Sequence, residues 1–275
     1  MPNPYESAQY LSDYLLFHYG RPKQLCDWPF APKGVFDFHR RIARQMVHGR
    51  GRRALDLGCA VGRLSYELSR RFDEVIGVDK SRAFIKAAKL ISHKNRLEIQ
   101  VAGEGGLLVP RKIALPKGVR KRNVCFEVGD AQKLRRDIGS FDLVVMANLI
   151  DRLPDPKKCF RRLPALVKAG GRLVITSPYS WLEEYTPKSK WLGRGRRGRM
   201  LETLQKLLRP HFRLAKRRDL PFLIREHRRK YEFVIAEATA WERVDVFKKW
   251  RGKGQLPGGI SVDAYLKRVR DADSD

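Results

Sequence analysis

Apolar positions along the chain follow two rhythms. Short, nearly continuous apolar runs predict strands covered on both faces: Arg53–Gly58, Glu74–Asp79, Val124–Gly129, Phe141–Asn148 and Gly171–Ser177. Between them, spacings of three and four predict helices. Leu64, Leu68 and Phe72 place one over Arg63–Phe72, and Ser81 caps another over Ala83–Ile91. A third, Pro156–Lys168, starts behind Asp155 with proline in its first turn and stops at Gly170-Gly171. Met200–Leu208 is a fourth, and Phe212–Arg225 and Lys230–Arg243 predict two last strands. Strands alternating with helices indicate an α/β fold with a mostly parallel sheet and helices on both faces.

Three segments stand outside this alternation. Residues 1–48 carry an aromatic stripe, Tyr10, Tyr14 and Phe17, and are expected to form a helical cap. Residues 102–123 read as a Gly-, Pro- and Lys/Arg-rich insertion in the core, which spans 49–243. Residues 244–275 read as a charged extension.

The strand ends carry the chemistry. Asp56-Leu57-Gly58-Cys59-Ala60-Val61-Gly62 joins the first strand to the first helix, where glycines let backbone approach a ligand. The spacing is GxxxG behind an acid, not the GxGxxG that cradles a pyrophosphate, and GxxxxGK[ST] is absent. Asp79 ends the second strand, 23 positions after Asp56, where an acid can accept both hydroxyls of a ribose. Gly129-Asp130-Ala131 follows the third strand, and Asn148 ends the fourth. This ordered set resembles the class I S-adenosylmethionine methyltransferases. The resemblance implies a Rossmann-like sheet of seven strands in the order 3-2-1-4-5-7-6, the last antiparallel. It also implies S-adenosylmethionine as cofactor, leaving S-adenosylhomocysteine, held by Tyr19, Asp56, Gly58, Cys59, Gly62, Asp79, Lys80, Asp130, Ala131 and Asn148.

Three further segments narrow the resemblance. NPYESAQYLSDYLLFHYG (Asn3–Gly20), TSPYSWLEEYTPKSKWLG (Thr176–Gly193) and LPFLIREHRRKYEFVIAEATAW (Leu220–Trp241) resemble the 4-mercaptohistidine N1-methyltransferase family, which is similar to the carboxy-terminal domain of ovothiol synthases. The family tends to continue WLG with glycine, where this chain has Arg194. The implied reaction methylates a ring nitrogen of 5-thiohistidine to ovothiol A, with the selenium analogue as the alternative acceptor. Tyr179 and Trp181 are expected to stack on the imidazole. Glu183 or Glu184 would hold its far N–H or the substrate ammonium, and Arg152 or Arg21 its carboxylate. Tyr5, His18, Asp151 and Ser177 complete the expected acceptor site, with Asn148, Tyr179 and Glu183 as its catalytic members. A neutral imidazole attacks a sulfonium without prior deprotonation, so positioning outranks any single base.

Composition changes the picture in one respect. The net charge is +28, and Arg194–Lys230 holds fourteen Lys or Arg against three Asp or Glu. Such a face suits an anionic partner, and an RNA methyltransferase is the rival reading. No NPPY-type motif follows the fourth strand, which continues Asn148-Leu149-Ile150-Asp151, and a small-molecule substrate is expected instead. A non-catalytic protein that binds S-adenosylmethionine is the third class. No apolar run approaches the ~20 residues of a membrane-spanning helix, and a cytoplasmic location is expected. Cys26, Cys59, Cys125 and Cys159 make no CxxC pair and are expected to be reduced and mostly buried. No histidine spacing indicates a metal.

Overall fold

The computed structural model describes residues 4–194, 200–244, 259–261 and 263–265. They fall into a unit over Met1–Arg243 and a second over Val244–Asp275. The first contains α1 (Ala8–Tyr19), α2 (Pro22–Leu25), α3 (Phe38–Gln45), β1 (Gly51–Leu57), α4 (Arg63–Leu68), β2 (Phe72–Asp79), α5 (Arg82–Lys94), β3 (Arg96–Ala102) and β4 (Leu108–Ala114). It continues with β5 (Val124–Val128), β6 (Phe141–Ala147), α6 (Pro156–Leu166), β7 (Val167–Ser177), α7 (Met200–Leu208), β8 (Phe212–His227) and β9 (Lys230–Arg243).

Seven strands form one sheet in the order β5-β2-β1-β6-β7-β9-β8. Numbered within that sheet, this is the expected 3-2-1-4-5-7-6. The five strands from β5 to β7 run parallel, and β9 is antiparallel to both β7 and β8. Alternate residues of the central strands face opposite layers. Leu55, Leu57, Val144 and Met146 pack with Phe160 and Leu163 of α6 and Leu204 of α7. Ala54, Leu143 and Val145 pack with Phe38 and Ile42 of α3 and Leu64 and Leu68 of α4. A third cluster joins Leu15 and Leu16 of α1 to Phe84, Ile85 and Ile91 of α5.

Several boundaries differ from the pattern. The helix expected over Arg63–Phe72 ends at Leu68, because Phe72 opens β2 and pairs its backbone with Gly51. Gly170-Gly171 does not stop α6, which ends at Leu166. The glycines lie inside β7, in a bulge where the register jumps from Phe141↔Val167 to Leu143↔Arg172. The insertion expected at 102–123 begins earlier and is ordered. Strands β3 and β4 pair antiparallel from Arg96↔Ala114 to Ala102↔Leu108 as a separate two-stranded sheet. Its residues Ile99, Val101 and Ile113 are buried against the α1–α5 cluster.

Of the basic stretch 194–230, residues 195–199 lie outside the described residues, as does most of the extension 244–275. The described part of the stretch includes β8, the outer strand of the sheet. The four cysteines are free, with Cys59 and Cys159 buried, Cys26 half-buried and Cys125 exposed at the other sheet edge. Among the described residues no helix is long and apolar enough to cross a membrane, and no three His, Cys, Asp or Glu gather as metal ligands.

Candidate active site

The carboxyl ends of β1, β2, β5 and β6 meet where the strand order reverses, the crevice in which open α/β sheets hold ligands. The loop after β1 crosses this crevice with three alternate left-handed residues, Gly58 (φ 73°), Ala60 (φ 47°) and Gly62 (φ 85°). The Gly58 and Cys59 amides both donate to the Val78 carbonyl, at 2.8 and 3.1 Å, which ties the loop to β2. A Cβ at Gly58 would sit 2.8 Å from Leu149 Cδ1, and one at Gly62 would sit 2.5 Å from Phe126 Cζ. Both glycines therefore admit a neighbouring protein side chain as well as an unusual backbone conformation.

Asp79 is the carboxylate presented to this loop. Its Oδ2 accepts from the Ala60 amide and its Oδ1 from the Ser81 amide, each at 2.9 Å. Burial pushes its carboxyl above the usual range against these bonds. Asp56, near the end of β1, is another of the residues expected to hold the cofactor. It is fully buried, its Oδ2 accepts from Ser65 Oγ at 2.7 Å, and its Oδ1 has no partner. Its part in the loop is to tie the end of β1 to α4. Burial, and after it the nearby Asp79, working against the Ser65 bond, lift its carboxyl to about 7. Of the remaining expected cofactor residues, Asp130 is half-buried and caps the Gln132 amide at 2.8 Å. Ala131 packs into the central core, Cys59 is buried with its thiol pushed well up by burial, and Lys80 is exposed.

The amino-terminal segment lies over the same region. The Tyr19 hydroxyl donates to the Val61 carbonyl at 2.7 Å, so α1 is pinned to the glycine loop. The Glu6 carboxylate accepts from the Arg82 and Ala83 amides at 2.9 and 3.2 Å, capping α5 from outside. Ser81 Oγ donates to the Tyr5 carbonyl at 3.1 Å. The Tyr5 ring stacks on Tyr185 at 5.6 Å and meets Tyr14 edge-on at 5.8 Å.

Beyond β6 and β7 lies a polar cluster. Asn148 takes φ 51°; its amide donates to the Thr176 carbonyl and its Oδ1 accepts from Thr176 Oγ1, both at 2.8 Å. Asp151 is buried, with Ser177 Oγ donating to it at 3.0 Å and Arg152 Nη1 at 2.9 Å. Arg152 also donates to the Ser180 carbonyl, and its guanidinium lies 5.3 Å from the Tyr185 ring centroid. Tyr179, at φ 56°, donates its hydroxyl to Glu237 Oε2 at 2.5 Å, and Glu237 Oε1 accepts from Arg217 Nε at 2.5 Å. Burial and the adjoining carboxylate both push the Tyr179 phenol upward.

Five other residues expected at the acceptor site have different surroundings. Glu183 is exposed and paired with Lys188 at 2.7 Å, and Glu184 is exposed as well, because the turn after β7 directs both to solvent. The carboxylate beside Tyr179 is Glu237, on β9. His18 is buried against His39, ring centroids 3.7 Å apart, with Arg63 donating to its carbonyl, and burial holds the ring neutral. Trp181 packs against the central core, and its indole N–H is buried without a partner. Arg21 is exposed and heads α2. The structure thus gathers Tyr5, Asn148, Asp151, Arg152, Ser177 and Tyr179, adds Tyr14, Tyr185 and Glu237, keeps Glu184 beside Tyr185, and gives Glu183 and His18 other partners. A trace of Glu237 exists in the sequence as the one carboxylate inside the apolar run VIAEATAW.

A family model described as a methyltransferase domain matches residues 28–225, more than half of the chain. The chain belongs to that methyltransferase-domain family. This methyltransferase uses S-adenosylmethionine. It is 26% identical over 137 residues to a ubiquinone biosynthesis O-methyltransferase of Coxiella burnetii, covering 50% of this chain and 48% of that protein. The enzyme of the same name from Alkalilimnicola ehrlichii is 31% identical over 127 residues, covering 46% and 42%. The match therefore spans about half the length of these curated relatives. A solved S-adenosylmethionine-dependent methyltransferase of Methanosarcina mazei has the same fold at TM-score 0.50 and 19% identity, covering 74% of this chain and 97% of that one. A structure described for conversion of a disulfide bond into a thioacetal group during echinomycin biosynthesis reaches TM-score 0.51 at 15% identity, covering 97% and 99%.

Proposed function

We propose that this methyltransferase alkylates an imidazole ring nitrogen of 5-thiohistidine, giving ovothiol A. The supporting observation is convergence. The three segments that resemble the 4-mercaptohistidine N1-methyltransferases are far apart in sequence and meet at one place. Tyr5 and Tyr14 come from the first, Tyr179 and Tyr185 from the second, and Glu237 from the third.

The residues present suit the cofactor. In this reading Asp79 would hold the ribose hydroxyls, Asp130 the adenine, and the left-handed 58–62 loop the methionyl portion. S-adenosylmethionine supplies a methyl group activated on a sulfonium. The protein's own part is alignment and exclusion of water. Tyr5, Tyr14 and Tyr185 close an apolar wall over the crevice, and Asn148 is fixed at the end of β6 by Thr176. Arg152 is the cation beside this wall for a substrate carboxylate, Asp151 supplies negative charge for the ammonium, and Glu237 acts on the ring through Tyr179.

The test is incubation with S-adenosylmethionine and 5-thiohistidine, read by mass spectrometry for one methyl on the ring rather than on sulfur. The selenium analogue, a phenolic acceptor of the kind the curated relatives' name suggests, and RNA are run in parallel. Turnover of the phenol or RNA without thiohistidine overturns the reading.

A further inference from the structure

Glu237 and Arg217 stand behind Tyr179 with no part in holding a cofactor. The phenol is tied at 2.5 Å to Glu237 Oε2, whose other oxygen is 2.5 Å from Arg217 Nε. Only 10% of the Glu237 side chain is exposed, against 57% of Arg217, so the row runs from interior to solvent. A carboxylate buried inside a sheet face is costly unless bonded, and here both oxygens are. Tyr179 is itself held unusually: its left-handed backbone is fixed by a bond from its amide to Ser177 Oγ at 2.9 Å. That serine in turn donates to Asp151, so the ring is set from both ends.

We propose that Tyr179 accepts the proton that the methylated acceptor ring must lose, with Glu237 and Arg217 as positioning residues that relay it to solvent. The inference rests on the acceptor being a thiolated imidazole. That ring binds with one N–H, and taking a methyl on its other nitrogen leaves a cationic ring whose N–H is acidic. The proton moves from this nitrogen to Tyr179 Oη as the phenolic hydrogen moves to Glu237 Oε2. The ring nitrogen keeps its electron pair, Tyr179 ends as it began, and the protonated Glu237 discharges to water past Arg217. The upward push on the phenol agrees with this role, since Tyr179 stays protonated unless a proton arrives in exchange. The charged groups facing the row are Asp151 with its partner Arg152, and Asp219, which is opposite Glu237 across the β8–β9 ladder.

The test compares Glu237→Gln, Tyr179→Phe, the pair combined, and Arg217→Ala, in full-length protein with S-adenosylmethionine and 5-thiohistidine. Glu237→Gln retains an acceptor oxygen for the phenol and loses only basicity. It is expected to lower kcat about 10- to 100-fold with KM nearly unchanged. Tyr179→Phe falls by a similar factor, and the combined variant falls no further, because both act on one proton. Arg217→Ala moves the acid limb of the kcat profile to higher pH. Independently of turnover, the Cζ signal of Tyr179 in protein with carbon-13-labelled tyrosine shifts in Glu237→Gln. Wild-type activity on thiohistidine with an undiminished Glu237→Gln, or with multiplicative losses in the pair, overturns the relay alone. An unmoved Tyr179 signal also overturns it. A wild type with no activity on thiohistidine overturns the acceptor assignment and the relay with it.

Discussion

Replacing Gly62 by alanine tests the physical account of the cofactor loop. Gly62 opens α4 at φ 85°, and its missing Cβ is replaced by the Phe126 ring, with Cζ at 2.5 Å and Cε1 at 2.7 Å, and Ala88 Cβ at 3.1 Å. The ring is hemmed in, because the Gly77 backbone packs against its Cδ1–Cε1 side so closely that a Cβ there would lie 2.7 Å away, and Tyr66 stands edge-on at 5.4 Å. Two costs therefore add. The left-handed backbone costs an alanine about 1–2 kcal/mol. Overfilling a packed core costs a further ~1–3 kcal/mol. The sum of about 2–5 kcal/mol is a large part of the ~5–15 kcal/mol that keeps a domain folded. Urea unfolding of Gly62→Ala is expected to show a lower midpoint at unchanged slope. Phe126→Leu removes the obstructing ring, so the double variant should recover the steric part, a coupling of roughly 1–2 kcal/mol, while the backbone part remains. Calorimetry with S-adenosylhomocysteine is expected to show weaker binding in Gly62→Ala, because the loop must shift. A loss below about 0.5 kcal/mol, or strict additivity in the double variant, would falsify the packing account.

Other consequences follow from the same geometry. Asp79→Asn should weaken S-adenosylhomocysteine binding about 10- to 100-fold by calorimetry, the worth of one or two charge-assisted bonds; an unchanged affinity removes Asp79 from the site. Asp56, lifted to about 7 in the folded chain, holds a proton there that the unfolded chain releases near pH 4. Its contribution to stability therefore declines as pH rises from about 4 through 7. The urea midpoint of the wild type should fall relative to Asp56→Asn between pH 5 and 8, although Asp79 shifts both proteins alike; a difference flat with pH contradicts this. His39, pushed down to about 3 by burial and by Arg63 and Arg41, resists a proton that the unfolded chain takes up near pH 6.5. Stability is full above that value and is lost as pH falls from 6.5 toward 3. His39→Phe should move the acid-unfolding midpoint to lower pH, and an unmoved midpoint refutes the assignment.

The order of the sheet was readable because each strand end carries its own marker: the DLGCAVG loop, Asp79, the GDA turn and the FDLV run. Local chemistry and topology coincide there. The hairpin at 96–114 was not readable, because Gly103, Gly105, Gly106 and Pro110 punctuate it like a loop. Its strands pair only with each other, and the pattern LEIQV is too short to stand out. The acceptor site was half legible. Asp151, Arg152, Ser177 and Tyr179 lie next to strand ends, whereas Glu183 and Glu184 follow in the same loop as exposed side chains. The true neighbour of Tyr179 is 58 residues away on β9. Which of several nearby carboxylates meets the phenol depends on the antiparallel register Ser177↔Glu237, which no local pattern encodes. His18 illustrates the converse. It is expected at the acceptor site, and tertiary packing against His39 places it inside.

The outer strand of the sheet governs how copies of this chain can meet. Among the described residues no strand pairs with the outer edge of β8, which carries exposed Arg213, Arg217 and Arg218, a bulge between Leu214 and Lys216, and Pro221, which has no N–H to offer. A second copy adding itself strand against strand would set guanidinium beside guanidinium along a kinked border. Such polymerisation is blocked by like-charge repulsion, and salt that screens the cations weakens this protection. Concentrated stocks of the protein should therefore be safest from fibrous aggregation at low ionic strength.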